Sequence, residues 1–199
     1  ERLRAWQPIE GIEEFIQGRK VLILGSSWPE DEALILPLIH RFPHIAFILA
    51  PHDVSRASSI NQALPTTALM WSSWSTSSLQ ARQDAKLLLV DTMGDLFTFY
   101  GHANMAMIGG GFKQGLHNVL EAMVHGLPTC FGPETDGHWE ADKAIQSGHA
   151  NTVSNSDELK QWINDCLQKT SPAKQIKGFI DQHAGANTKV KHLVEDQLF

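Results

Sequence analysis

The stretch Val21-Leu-Ile-Leu-Gly-Ser-Ser-Trp-Pro-Glu-Asp-Glu32 decides the fold. Four consecutive aliphatic residues read as a strand buried on both faces, because a strand with one wet face would alternate apolar and polar side chains. Gly25 and two serines end it. Pro29 and three acids then open a helix, where a missing N–H is harmless and negative charge meets the positive end of the dipole. Pro43 is taken as the end of that helix.

Working outward, the same alternation recurs. Ile45 to Ala50 reads as a strand stopped by Pro51, and Ala68-Leu-Met-Trp71 as a short one followed by a serine-rich loop, Ser72 to Ser78, with no expected role. Leu87-Leu-Leu-Val90 is turned by Asp91-Thr-Met-Gly-Asp95 into a helix carrying Leu96, Phe97, Phe99 and Tyr100. Met105-Ala-Met-Ile108 runs into Gly109-Gly-Gly111 and a helix from about His117 to His125, closed by Gly126. Pro128-Thr-Cys-Phe131 and Ala150 to Val153 complete the strands. Helices are predicted over Ala141 to Ser147, Asp157 to Lys169, and once or twice after Pro172.

Strands and helices alternating across such short connections require parallel pairing, and right-handed crossovers then cover both faces. The expected class is therefore α/β, a Rossmann-like open parallel sheet of about six strands with helices on both faces. Ligands of such sheets sit outside the carboxyl ends of the strands. The segments 25–32, 51–56, 91–95, 109–121 and 132–140 each follow a predicted strand, so they are expected to converge on one rim.

Composition narrows the function. With 199 residues, 42% hydrophobic, the chain is one domain or two very small ones. Residues 1–18 read as an N-terminal extension or interdomain linker and 19–199 as the domain proper. No segment approaches the ~20 apolar residues of a membrane span. Sixteen Lys and Arg against 22 Asp and Glu give a net charge of −6 with no basic stripe, which disfavours nucleic acid as a partner. Cys130 and Cys166 make no disulfide framework and fit a reducing compartment, both expected as buried small hydrophobes. The chain begins at Glu1 and carries no signal-peptide pattern, and it is expected to be a piece of something longer.

Three glycines directly after a strand either leave bare backbone for a ligand or simply turn the chain tightly. The amino end of the helix after them would seat an anion such as a phosphate. Neither a Walker loop nor a dinucleotide fingerprint is present. Asn118 and Glu121 share a helical face, where the carboxylate could accept from two vicinal ribose hydroxyls; the plainer alternatives are an N-cap and a first-turn acid. Met93-Gly94-Asp95 offers backbone donors and a carboxylate, and His52 an imidazole that can stack or donate. His40 and His44 have metal-ligand spacing, but Pro43 breaks the helix that would align them, so no metal or other cofactor is expected. No candidate nucleophile for covalent hydrolysis appears.

With those residues in hand, the chain resembles the C-terminal half of the 3-deoxy-D-manno-octulosonic acid (Kdo) transferases, glycosyltransferases of the GT-B fold. Gly25-Ser-Ser-Trp-Pro-Glu-Asp-Glu32 is similar to the family's Gly-Ser-Thr-His-Glu-Gly-Glu-Glu, and Pro51-His52 stands where the family shows Pro-Arg-His. Asp91-Thr-Met-Gly-Asp-Leu96 with Tyr100 resembles Asp-Thr-Met-Gly-Glu-Leu followed by Tyr. Ile108-Gly-Gly-Gly through His117-Asn-Val-Leu-Glu121 resembles Val-Gly-Gly-Ser through His-Asn-Pro-Leu-Glu, and Phe131-Gly-Pro133 and Gly185-Ala186 also fit. The likeness spans nearly the whole chain from residue 20.

The resemblance implies a donor-binding domain for CMP-Kdo, with CMP contacts from Pro51, His52, Met93, Gly94, Asp95, Asn118, Val119, Leu120 and Glu121. The family's arginine after the proline is absent, its glutamate is Asp95 and its proline is Val119. Lys113 or Arg56 would substitute for the missing charge. The resemblance also implies an inverting transfer to a lipid A precursor, in a parent enzyme at the cytoplasmic face of the bacterial inner membrane. Its base, membrane anchor and acceptor site belong to an N-terminal domain, so this piece is expected to be soluble and to transfer nothing. The final helices, about 172 to 198, are expected to pack between domains. Two other readings stay open: a UDP-sugar enzyme of the same fold, and a non-catalytic sugar- or nucleotide-binding or interaction module.

Overall fold

A computed structural model of the chain describes residues 6–64 and 68–183. Seven parallel strands form one sheet: β1 (Lys20–Ser27), β2 (Ile45–Pro51), β3 (Ala68–Met70), β4 (Leu87–Leu89), β5 (Met105–Ile108), β6 (Thr129–Phe131) and β7 (Ala150–Thr152), in the order β3-β4-β2-β1-β5-β6-β7. The expected Rossmann-like architecture is therefore found, and all seven strands read from the sequence join the sheet, against an expectation of about six. The chain moves outward from β1 in one direction, then returns to its other side at β5. That reversal places a topological switch point between the ends of β1 and β5.

Alternation along the strands divides the core in two. On one face Val21, Ile23, Ala46, Ile48, Ala106 and Ile108 meet α1 (Ile12–Ile16), α5 (Leu96–Tyr100), α6 (Leu120–Met123), α7 (Trp139–Gln146) and α9 (Ala173–His183). On the other, Leu22, Leu24, Phe47, Leu49, Met105 and Met107 meet α2 (Pro29–Ile35), α3 (Ala57–Ala63) and α8 (Ser156–Gln168). The remaining helix, α4 (Leu79–Asp84), has no buried residue. Each fully buried aliphatic side chain contributes about 2 kcal/mol of apolar transfer. Continuous aliphatic strands are thus explained by two wet-side helix layers.

Several boundaries differ from expectation for local reasons. The helix opened by Pro29 ends at Ile35 and continues as a 3-10 turn over Leu36–Arg41, because Pro37 cannot donate to the α ladder and disfavours α geometry before it. Within the stretch read as a linker, Ile12, Phe15 and Ile16 are buried in the core. The helix after the glycines starts at Leu120, three residues later than expected from His117. The serine-rich loop is a 3-10 segment, Trp71–Thr76. Cys130 is buried as expected, whereas Cys166 is only half-buried. Gly185 and Ala186, and most of the expected interdomain tail beyond His183, lie outside the described residues.

The glycine run takes one of its two sequence readings. A Cβ on Gly109 would collide with the Ser26 carbonyl, and one on Gly111 would sit 2.7 Å from the Gly132 nitrogen. Gly110, at φ +94, would meet the Gly115 carbonyl. These residues let three loops touch backbone to backbone and leave no bare wall for a ligand. Gly109→Ala is therefore expected to lower stability by about 3 kcal/mol, since rigid backbone cannot yield as a flexible side chain can. A urea melt of the variant indistinguishable from that of the parent would contradict this packing.

Candidate functional site

The carboxyl rim is organised around Asp31, which is 1% exposed. Its Oδ2 accepts from the Trp28 backbone N–H at 2.9 Å and from the Gly110 N–H at 3.0 Å, tying the end of β1 to the loop after β5 across the switch point. Oδ1 is buried without a partner among the described residues. Burial pushes the carboxyl pKa up to about 6; the two N–H bonds oppose this, and neighbouring Glu32 and Glu30 add to it. Glu32 is handled differently. It accepts from Ser27 Oγ at 2.8 Å and takes both guanidinium nitrogens of Arg56 at 3.0 and 2.7 Å.

Three rings stand above this bridge. Trp28 Nε1 donates to His117 Nε2 at 3.1 Å, and their planes lie within 10°. The exposed His52 lies over both rings, with centroids 4.6 Å from Trp28 and 4.5 Å from His117. Burial lowers the His117 pKa, helped by the proximity of His52 and His138.

The residues singled out in the sequence fall on this rim in the order the topology dictates. Pro51 ends β2 and His52 follows it, with its N–H bonded to the Ser27 carbonyl at 3.0 Å. Met93, Gly94 and Asp95 follow β4, while Asn118, Val119, Leu120 and Glu121 follow β5, so the three groups flank β1 among four adjacent strands. Met93 is 76% exposed, and nothing lies within 4 Å of where a Cβ on Gly94 would project. Asp95 Oδ2 accepts from Trp71 Nε1 at 3.2 Å and from Thr92 Oγ1. Asn118 Oδ1 accepts from the Leu120 N–H at 3.0 Å in a local turn one residue before the helix's N-cap, Val119, so the plainer alternative of an N-cap at 118 is displaced by one residue. Glu121 sits in the first turn of α6, and its charge adds to burial in raising the pKa of the fully buried Tyr100.

Sequence reasoning missed several contributors. Trp28 and Asp31 passed for a loop residue and a helix-dipole acid, Trp71 for the end of a short strand, and Ser72 for part of a loop without a role, although Ser72 binds Asp91 through both N–H and Oγ. Of the two candidate replacement charges, Arg56 is held by Glu32; Lys113 is exposed, 3.6 Å from Glu30. Among the described residues no group of three or more His, Cys, Asp or Glu side chains is placed to hold a metal, and no helix is long and apolar enough to cross a membrane. A cavity of about 600 Å³ opens at the opposite rim, beside Lys20, Met105 and Pro128, where the strands begin. It shares no residue with the rim site.

An open parallel sheet with a switch point between β1 and β5 is the architecture of one half of a GT-B glycosyltransferase. The fold is similar to that of the C-terminal CMP-Kdo binding domain of WaaA from Acinetobacter baumannii, with a TM-score of 0.70 and 22% identity over 83% of this chain and 89% of that one. It is also similar to CalG4, the calicheamicin glycosyltransferase, with a TM-score of 0.59 and 14% identity over 97% of this chain and 44% of that one. By sequence the chain is a relative of the 3-deoxy-D-manno-octulosonic acid transferases. It is 32% identical to that of Rickettsia conorii over 176 residues, 83% of this chain and 38% of the relative. The chain spans little more than a third of the length of the first curated relatives it matches. No family model matches it.

Asp31 yields a test of the geometry itself. A carboxyl whose folded pKa is raised favours folding while protonated, so its contribution is best below about pH 4 and declines as pH climbs to about 6. Asp31→Asn cannot ionise. Its stability relative to the parent is expected to rise by roughly 2–3 kcal/mol between pH 4 and pH 7, followed by urea unfolding at each pH. Asp31→Ala is expected to be less stable than Asp31→Asn throughout, because two buried N–H groups lose their acceptor.

Proposed function

We propose that this chain is the donor-binding domain of an inverting glycosyltransferase that transfers Kdo from CMP-Kdo to a lipid A precursor at the cytoplasmic face of a bacterial inner membrane. The observation that carries the reading is the convergence of residues 51–52, 93–95 and 118–121 at the ends of strands flanking the switch point, in a chain related by sequence to Kdo transferases. The name of the similar Acinetobacter domain, which includes CMP-Kdo binding, supports the same ligand.

In this reading Pro51 and His52 take the cytidine side. The Glu121 carboxylate accepts from the two ribose hydroxyls, and Asn118, Val119 and Leu120 fix the turn that presents it. Gly94 contributes open backbone, with Met93 and Asp95 shaping the loop around it. Departure of CMP breaks the bond between the sugar's anomeric carbon and a phosphate oxygen, which keeps the electron pair. Hydrogen-bond donors aimed at that phosphate stabilise the developing charge. The base for the acceptor hydroxyl is assigned, on the resemblance, to a glutamate of an N-terminal domain, so the 199-residue chain alone binds CMP weakly and transfers nothing.

Calorimetric titration of the chain with CMP and with UDP is expected to favour CMP. In the double variant Asn118→Ala, Glu121→Ala binding is expected to weaken by about 2 kcal/mol, roughly 30-fold. Preference for UDP would point to a UDP-sugar donor. Unchanged affinity in the double variant would point to a non-catalytic module that binds elsewhere.

A further inference from the structure

A leaving phosphate needs donors, and the rim has already committed many of its own. The Gly109 N–H donates to the Gly25 carbonyl, the Gly110 N–H to Asp31, and the His117 N–H to the Gly109 carbonyl. Arg56 is taken by Glu32. The helix beginning at Leu120 has four residues, too few to act as an anion seat by itself.

His117 has the missing donor, and its neighbour determines which atom carries it. The indole N–H of Trp28 is a donor only, so Nε2 of His117 must present its lone pair, and a neutral imidazole then bears its proton on Nδ1. The ring carbon Cδ2 lies against Gly110 and Nε2 against Trp28, so the half-buried ring turns its Nδ1 edge away from the glycine loop. His52 covers the junction of the two rings, and its bulk holds them in one plane. No hydrogen bond engages Nδ1 among the described residues.

We propose that Trp28 is a positioning residue that fixes the His117 proton on Nδ1, and that this N–H is the neutral donor meeting the phosphate of the CMP leaving group. The proposal rests on the CMP reading of the rim and deepens it. It implies no proton transfer; the imidazole donates a hydrogen bond and stays neutral. Burial and the neighbouring His52 and His138 lower the His117 pKa and so favour its uncharged form, while the Lys113–Glu30 pair lies on the adjoining loop and helix start. In the resembling family a histidine stands where Trp28 does, and an arginine stands after the proline at 51.

Long-range proton–nitrogen NMR on the intact chain reads the tautomer directly. The expected pattern at pH 8 is a protonated Nδ1 and an unprotonated Nε2 on His117; a proton on Nε2 would overturn the proposal without any variant. CMP is expected to shift the His117 Nδ1 resonance, and cytidine, which lacks the phosphate, to leave it in place. Trp28→Phe keeps an aromatic face against His52 but loses the N–H. It is expected to mix the two tautomers, raise the pH at which His117 titrates, and weaken CMP binding about fivefold at pH 8. If CMP binds and perturbs Glu121 but leaves Nδ1 unmoved, this proposal falls and the nucleotide reading stands. Absence of CMP binding altogether removes both.

Discussion

A single carboxylate oxygen, Asp31 Oδ2, accepts from two backbone N–H groups that belong to opposite sides of the sheet's switch point. Strand pairing alone fixes β1 beside β5 only as far as Gly25 and Ile108. Beyond that register one more backbone bond, from the Gly109 N–H to the Gly25 carbonyl, joins the two segments before they turn into loops, and the Asp31 bridge ties those loops together. The arrangement is costly: an acid almost wholly out of water keeps one oxygen without a partner among the described residues. Natural cores tolerate such a group where position matters more than stability, because an apolar residue of the same size would leave Trp28 N–H and Gly110 N–H unsatisfied.

The bridge explains why the glycines are where they are. Ser26 stands at φ +54, which turns its carbonyl against Gly109, and Gly110 adopts φ +94 to bring its N–H down to Asp31. Both conformations bend the loops toward each other. Side chains larger than hydrogen would force them apart and break the hydrogen bond from Gly110. The glycine run thus serves the scaffold, and the backbone left open to a ligand is at Gly94, one loop away.

The fold was legible in the sequence because its signal is local. Runs such as Val21 to Leu24 and Leu87 to Leu89 declare two buried faces without reference to any other residue, and proline and glycine mark the ends. Where the reading slipped, the cause was a second local signal overlooked, as at Pro37, or a turn too short for periodicity to register, as between His117 and Leu120. The site was half legible. Residues 51–52, 93–95 and 118–121 follow strands and could be placed on one rim by topology. Asp31, Trp28 and Trp71 could not, because their roles depend on partners 79, 89 and 24 residues away in sequence. A pattern reader sees Asp31 as an acid in a helix's first turn, which is true, and has no means of seeing Gly110.

Charge at the rim follows from the same residues. Three consecutive acids begin α2, in a chain of net charge −6, at the place where an anionic ligand is proposed to sit. Left bare, they would repel it. Two of them face a cation, Glu30 at 3.6 Å from Lys113 and Glu32 clasped by Arg56, while Asp31, with a pKa pushed up to about 6, is charged at neutral pH and held by two backbone N–H groups. Arg56 is therefore occupied in cancelling a negative charge, and does not stand in for the arginine that the resembling family carries after its proline. The pairing leaves Asp31 as the one acid of the three without a cation beside it among the described residues. Attraction for a phosphate there depends on oriented N–H dipoles, which distance weakens faster than it weakens a net charge. An anion in the proposed site would be held where the donors converge, and affinity in such a site depends on keeping each donor's direction fixed. That requirement gives a physical reason for stacking His52, Trp28 and His117 into one rigid unit over a buried bridge.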